Sequence, residues 1–141
     1  MAKVLAGVRV VEHGTFITGP AAAMLLADLG ADVIKVEQPA GDPFRAFRGG
    51  TYSPHYQTYN RNKKSLAIDM QSAEGMAVVK KLLATADVVT ENFRPGAMAK
   101  LGLGYDDVKK LKGDVVYCSL KGFLPGPYDH RTALDEVVQM M

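Results

Sequence analysis

Residues 8–37 carry the clearest alternation of apolar and polar stretches in this chain. A short β-branched run over Val8–Val11 is typical of a strand covered on both faces. The next stretch predicts a helix, in which apolar residues recur at helical spacing as Ala22, Leu25, Leu26 and Leu29. Gly30 is placed to end this helix, and Val33, Ile34 and Val36 predict a second buried strand. The pattern predicts a βαβ unit with parallel strands and a right-handed crossover.

The segment between the first strand and its helix has the layout of an anion-binding turn. Gly14 and Gly19 bracket it, and Pro20 suits the first helical position because its φ is fixed and it lacks an N–H group. A helix that begins after a glycine turn offers free N–H groups to an anion. However, GTFITGP matches neither GxGxxG nor GxxxxGK[ST]. The turn therefore fits either an anionic ligand or the simple start of a core helix.

The alternation of strands and helices continues to about residue 120. Strands are predicted over Ser65–Asp69, Asp87–Thr90 and Asp114–Leu120. A helix capped by Ser72 presents an apolar stripe of Met76, Val79, Leu82 and Leu83, and another helix covers Tyr105–Lys112. We therefore predict an α/β fold with a parallel sheet.

The segment from Gly41 to about Asn62 shows neither helical nor strand periodicity. We predict a long ordered loop there, and loops of this length in compact domains are usually functional. Its candidate side chains are Arg45, Arg48, Tyr52, His55, Tyr56 and Tyr59. Any one of them also fits a surface loop with packed tyrosines.

Two further segments leave predicted strands at their carboxyl ends. Glu91–Gly96 follows one strand, and Lys121–Phe123 follows the last. In open parallel sheets the ligand crevice lies outside these strand ends. The sequence therefore predicts a site at this edge of the sheet.

Composition narrows the function classes. The 141 residues are 48% hydrophobic and 23% charged, as in one ordinary globular domain. A net charge of +2 does not indicate a nucleic-acid partner, and no apolar run has the length of a membrane span. The N-terminus lacks the pattern of a signal peptide, so we expect a cytoplasmic location. The single cysteine, Cys118, lies in an apolar run and is expected to be a buried small hydrophobe.

Eight sequence blocks, taken in order, resemble the family III CoA-transferases. These blocks are GVRVVE, GP, LLADLGADVIKVE, GDP, NRNKKSLAID, ADVVTENFRPG, LGLGYDD and YCSLKGF. The family includes formyl-CoA transferase, carnitine CoA-transferase and the α-methylacyl-CoA racemases. The resemblance covers essentially the whole chain and implies an α/β fold, a Rossmann-like parallel sheet with helices on both faces, that forms the N-terminal part of a large CoA-binding domain.

The resemblance implies a transferase that moves CoA between an acyl-CoA and a small carboxylic acid. The substrates are a CoA thioester and that acid, and neither a covalently bound cofactor nor a metal is implied. The catalytic aspartate, which forms acyl-anhydride and aspartyl-CoA intermediates, is expected beyond Met141, so the isolated chain is expected to be inactive. We expect one domain over residues 1–141 with an ordered core over about residues 5–122. The family's interlocked dimer implies a homo-oligomer, and we expect exposed apolar surface to make this chain self-associate.

The resemblance also assigns site residues one by one. Phe16, Ile17 and Thr18 match the turn near the CoA thioester, with Ile17 where formyl-CoA transferase has glutamine. Gln38 stands where arginine is common near the CoA nucleotide; Arg45, Arg48, Lys63 or Lys64 are candidates to replace that charge. The positions matched to the CoA groove and its surroundings are Ile68, Asn92, Phe93, Arg94, Lys100 and Leu101. Lys100 stands where formyl-CoA transferase has arginine, so the bidentate fork is lost.

The stretch around residues 130–135 distinguishes the transferases of this family from its racemases. Asp135 matches both the racemase aspartate and the glutamate that assists formyl-CoA transferase, so we assign it an accessory role. Leu134 stands where the racemases have histidine, and an apolar side chain cannot transfer a proton. His130 is displaced from that position by several residues. A transferase is therefore favoured, with a racemase and a non-catalytic CoA-binding or interaction domain as alternatives.

Overall fold

Five strands alternate with six α-helices in the computed structural model, which describes residues 3–47 and 53–140. A short 3-10 helix over Pro43–Arg45 lies between the second strand and the second α-helix. The elements are β1 (Arg9–His13), α1 (Thr18–Asp28), β2 (Asp32–Glu37), α2 (Pro54–Asn60), β3 (Lys63–Ala67), α3 (Ala73–Leu83), β4 (Val88–Glu91), α4 (Ala97–Lys100), α5 (Tyr105–Leu111), β5 (Val116–Ser119) and α6 (Asp135–Gln139).

The strands form one parallel sheet in the order β3-β2-β1-β4-β5. At its centre, Val11 of β1 lies opposite Ile34 of β2 and Val89 of β4. After β3 the chain crosses to the other side of β1, so β1 and β4 are neighbours in the sheet although β2 and β3 lie between them in sequence. The predicted α/β fold with a parallel sheet is confirmed.

Helices cover both faces of the sheet, as predicted. On one face Ala23 and Ala27 of α1 pack on Val10 and Val33. On the other face the larger core includes Val11, Val36, Val79, Leu83, Val89 and Val108. Ser72 caps α3 as predicted, because its hydroxyl accepts a hydrogen bond from the Gly75 amide at 3.0 Å.

The predicted apolar stripe of α1 was wrong at Leu25 and Leu29, whereas Leu26 packs on the core. Leu25 and Leu29 are 58% and 48% exposed, whereas Ala23, Met24 and Ala27 are buried. Small side chains allow the helix to lie close to the strands, and Gly19 continues this narrow face toward the N-terminus of the helix. The close packing of the α1 backbone on the strands therefore determined that the stripe of Ala23 and Ala27, and not that of Leu25 and Leu29, faces the core.

The segment predicted as a loop also contains regular structure. Pro54 occupies the first turn of α2, where its missing N–H group removes no helical bond. This helix buries no side chain, so it leaves no apolar stripe in the sequence. Tyr59 stacks on the buried ring of Phe44 in the 3-10 helix, with centroids 6.4 Å apart. Arg48 and Tyr52 lie outside the described residues.

Other predictions need smaller corrections. Pro20 is the third residue of α1 and not the first, and it is tolerated there because the first N–H groups of a helix have no helical acceptor. Cys118 is half-buried, since β5 is an edge strand whose Val116 is also 61% exposed. β1 and β3 include charged residues that hydrophobicity alone did not assign to strands.

His13, the last residue of β1, is fully buried. Neither ring nitrogen has a hydrogen-bond partner among the described residues. Burial, with a contribution from the positive charge of Lys35, lowers the pKa of His13 from 6.5 to about 4. The imidazole is therefore neutral at physiological pH.

We expect His13→Leu to stabilise the chain at pH 7 by about 1–3 kcal/mol, since it removes an unpaired buried polar group. The unfolded chain binds a proton at His13 near pH 6.5 and the folded chain only near pH 4, so the stability of the wild type falls as the pH falls across this window. This loss amounts to about 3 kcal/mol and should be absent in the variant. Urea unfolding at a series of pH values measures both effects. His130→Leu, at an exposed histidine, is the control and should keep the wild-type dependence.

The orientation of α1 gives a second prediction. Ala23 is 0% exposed against the sheet, so Ala23→Leu should overpack this contact and reduce the free energy of unfolding by about 1–3 kcal/mol. Leu25→Ala, at a largely exposed position, should change it by about 0.5 kcal/mol or less. Urea unfolding of both variants tests the orientation, and a larger loss for Leu25→Ala would contradict it.

Candidate functional site

All five strands end at the same edge of the sheet, which we call the carboxyl rim. The strands end there at His13, Glu37, Ala67, Glu91 and Ser119. The loops that follow β1 and β4 leave from neighbouring strands in the middle of the sheet. A crevice between such loops is the usual ligand site of an open parallel sheet.

The loop after β1 makes an unusually tight turn into α1. A Cβ atom on Gly14 would lie 2.9 Å from the Cα atom of Gly19, so only glycine fits at these two positions. Phe16 has a left-handed backbone with φ of 59°. As a result Phe16, Ile17 and Thr18 project outward, and the first two are 46% and 40% exposed.

Asn92, in the loop after β4, fastens this turn. Its Oδ1 accepts a hydrogen bond from the Thr15 amide at 2.8 Å. Its Nδ2 donates to the Thr15 carbonyl at 2.8 Å and to the Thr18 hydroxyl at 3.0 Å. Both amide hydrogens are therefore used within the protein, and Asn92 determines the distance between the two loops.

The amino end of α1 is polarised toward the same crevice. The first helical hydrogen bond runs from the Ala21 amide to the Ile17 carbonyl. The amides of Thr18 and Gly19 precede it and have no helical acceptor. These groups and the helix dipole favour a negative charge in front of the turn.

A second polar cluster lies at the ends of β4 and β5. Lys121 donates to both carboxylate oxygens of Glu91, at 2.7 and 2.8 Å, and to the Phe93 carbonyl at 2.6 Å. The Ser119 hydroxyl also donates to Glu91. These bonds hold the backbone of Phe93 beside the end of β5, and Phe93 packs partly on the core.

A third cluster consists of four buried charges beneath the rim. The ammonium group of Lys35 contacts Glu12 and Asp42, each at 2.9 Å, and Lys63 contacts the second oxygen of Glu12 at 2.7 Å. All four side chains are at most 2% exposed. Burial lowers the pKa of Lys63, an effect that the Glu12 carboxylate opposes. We call this set the Lys35 cluster.

Glu37, at the end of β2, anchors the loop that follows it. Arg45 donates to its two oxygens at 2.7 and 2.6 Å, and the hydroxyl groups of Tyr56 and Ser65 donate at 3.0 and 2.8 Å. Burial alone would raise the pKa of Glu37, but these bonds and one from the Asp42 amide lower it to about 2. Glu37 is therefore a permanent anion that organises α2 and the 3-10 helix.

The remaining predicted site residues are distributed along the rim. Gln38 follows β2 and donates to the Gly41 carbonyl at 3.2 Å, and Ile68 follows β3 and packs on the core. Arg94 is exposed after Phe93. At the end of α4, Lys100 is exposed and Leu101 packs on the core.

Asp135 belongs to a different part of the chain. It begins α6 and accepts a hydrogen bond from Gln139 of the same helix at 2.6 Å, rather than from a residue of the rim. The side chains proposed to replace the charge at position 38 are also engaged elsewhere. Arg45 binds Glu37, Lys63 binds Glu12, and Lys64 binds Asp32 at the other end of β2.

Sequence reasoning missed the Lys35 cluster and the Glu91–Lys121 pair. A signal was present, because Glu12 and Lys35 stand inside apolar strands that helices cover, where a charge must be paired. Which charges pair depends on the strand order, which the sequence did not define. The described residues contain no group of three His, Cys, Asp or Glu side chains placed to hold a metal ion. Within the same ranges, no helix has the length and apolarity needed to cross a membrane.

Comparison with known proteins agrees with this architecture. Residues 5–141 match the family described as CoA-transferase family III. The chain is 42% identical to mouse succinyl-CoA:glutarate CoA-transferase, over 99% of this chain and 33% of that protein. It is 39% identical to formyl-CoA:oxalate CoA-transferase of Streptomyces coelicolor, over 99% of this chain and 35% of that protein.

Solved structures agree as well. A CAIB/BAIF family protein from Brucella suis superposes with a TM-score of 0.93 at 38% identity, covering 99% of this chain and 39% of that one. The chain thus spans about a third of the length of the curated relatives it matches. The family match extends across the sheet, the glycine turn and the Asn92 loop, and the chain therefore belongs to the family III CoA-transferases.

Proposed function

We propose that this chain forms the CoA-binding part of an enzyme that transfers CoA between an acyl-CoA and a small carboxylic acid. The relatives named above are transferases for such acids, and the chain corresponds to about a third of their length. The observation that carries the proposal is the joining of the β1 and β4 loops by Asn92 at the carboxyl rim. Activity belongs to a protein that also contains the catalytic aspartate, which we expect beyond Met141.

The proposed chemistry proceeds by covalent catalysis. The aspartate carboxylate attacks the thioester carbonyl, the C–S bond breaks, and CoA leaves as a thiolate. The thiolate then attacks the aspartyl carbonyl of the resulting anhydride, which releases the donor acid and forms an aspartyl-CoA thioester. The acceptor carboxylate attacks this thioester and expels the thiolate, which then takes the acyl group from the new anhydride. The aspartate is thereby regenerated.

In this proposal the residues of the chain bind and orient the CoA thioester. The outward side chains of Phe16, Ile17 and Thr18 face the thioester end, next to the polarised start of α1. Asn92 acts by holding this turn, since its amide hydrogens are already used. Arg94 and Lys100 are exposed cations near the same loop, suited to the phosphates of CoA.

The chain departs from the family pattern in the charge that it offers near the CoA nucleotide. Gln38 supplies no charge, and Arg45, Lys63 and Lys64 are held in ion pairs. We propose that Gln38 offers an amide hydrogen bond where an arginine would offer an ion pair.

A cytoplasmic location and a homo-oligomer remain predictions.

Racemisation is disfavoured by Leu134, which is 67% exposed and cannot move a proton. We expect the full-length protein to transfer CoA from succinyl-CoA to glutarate, the pair named for the mouse relative. In deuterium oxide it should not exchange the α-proton of a 2-methylacyl-CoA. Mass spectrometry of both products distinguishes the two activities, and deuterium uptake without CoA transfer would favour the racemase.

Calorimetric titration of CoA into the purified chain tests the binding proposal directly. We expect Asn92→Ala to weaken binding by about tenfold, because three hydrogen bonds that hold the turn are lost. Thr85→Ala is the matched control. Its hydroxyl bonds to Arg9 and Leu82 at the opposite end of the sheet, so CoA affinity should not change. Equal affinity of wild type and Asn92→Ala would contradict the assigned role, and absence of binding would restrict the proposal to the full-length protein.

A further inference from the structure

Lys35 is a buried cation whose contacts all lie beneath the carboxyl rim. Its ammonium group donates to Glu12 Oε1 at 2.9 Å and to the Gly14 carbonyl at 2.7 Å. The third oxygen nearby is Asp42 Oδ2, at 2.9 Å. Two of the three N–H donors of the ammonium group are therefore used in hydrogen bonds, and Asp42 Oδ2 is held by charge attraction.

Two of these oxygens belong to the loops that form the rim. Gly14 begins the turn after β1, and Asp42 lies in the loop after β2. Asp42 Oδ1 in turn accepts hydrogen bonds from the amides of Phe44, at 2.8 Å, and Phe16, at 3.4 Å. Lys35 therefore connects both loops to the middle of β2 and, through Asp42, reaches the backbone of Phe16.

Stability alone does not account for this arrangement. Desolvation of buried ion pairs offsets most of their attraction, and apolar side chains of similar volume often replace them without loss. Ile34 and Val36 flank Lys35 in the middle of β2, and Val33 shares its face of the sheet. The charge of Lys35 instead makes directional contacts, and its contacts with Gly14 and Asp42 reach the loops of the rim.

We propose that Lys35 is a positioning residue that holds the β1–α1 turn, and hence Phe16 and Ile17, in the shape needed for the CoA thioester. The part of this inference that concerns CoA rests on the proposed function. Asn92 holds the turn from the β4 side, and Lys35 with Asp42 holds it from the β2 side. Loss of either side should loosen the turn while the sheet stays folded.

Lys63 provides a matched control for Lys35. It is equally buried and binds the other oxygen of the same carboxylate, Glu12. Its other contacts are the Pro20 carbonyl and Asn60, in α1 and α2, and not the turn. Lys63→Met therefore removes the same charge from the same cluster and leaves the turn contacts in place.

The test combines hydrogen exchange of the turn amides with CoA titration. In Lys35→Met the amides of Thr15 and Phe16 should exchange about tenfold faster, whereas those of Val10 and Val89 in the sheet should not change. In Lys63→Met the turn amides should keep their wild-type rates. CoA affinity should fall by about tenfold in Lys35→Met alone.

A charge-balanced double variant covers the case in which Lys35→Met does not fold. Asp42→Asn alone would place an amide NH2 group against the Lys35 ammonium, so it is made only together with Lys35→Met, where the Oδ1 acceptor for Phe16 and Phe44 is kept. Lys35→Met combined with Asp42→Asn removes one charge of each sign and should again expose the turn amides. Wild-type exchange in both Lys35 variants would overturn the inference. Absence of CoA binding by the wild type would count against the proposed function in this chain, and the exchange rates would still decide whether Lys35 holds the turn.

Discussion

The backbone contact between Gly14 and Gly19 constrains much of this structure. A side chain at either position would collide with the other residue, so the chain turns from β1 into α1 within the smallest possible space. Because α1 begins so close to the sheet, its small face of Ala23 and Ala27 reaches the strands, and Leu25 and Leu29 face outward. The same tight turn projects Phe16 and Ile17 from the rim and gives Asn92 a fixed backbone to bind. Fold and candidate site therefore depend on one close approach.

Buried charge organises the rim in the way that buried apolar surface organises the sheet. The Lys35 cluster lies beneath the rim, Glu37 and the Glu91–Lys121 pair lie at strand ends, and each holds a loop of the rim in place. Charged groups in such places are stable only when they are fully paired, so each cluster permits few loop arrangements. This pairing gives the irregular segments of the chain a defined shape without a large apolar core of their own.

The sequence was sufficient for the fold class and for the approximate positions of the strands. Apolar runs and glycine positions are local signals, and parallel βαβ units follow from them. It was insufficient where two local solutions compete, as in α1, in which the alanine stripe and the leucine stripe have the same period. It also failed for α2, whose stability comes from Phe44, Tyr56 and Glu37 and not from its own pattern. The pairing of Glu12 with Lys35 and Lys63 joins three strands, and only the folded chain brings those groups together.

The two edges of the sheet differ in exposed charge, and this difference affects the edge at which a further strand could pair. On β3, at one edge, the ammonium group of Lys64 is exposed, and such a charge disfavours the approach of another strand. β5, at the opposite edge, has β4 as its neighbour in the described part of the chain and exposes Val116 beside the half-buried Cys118. A strand that extended this sheet would meet less charge at β5, and the thiol of Cys118 would register its arrival by losing access to solvent.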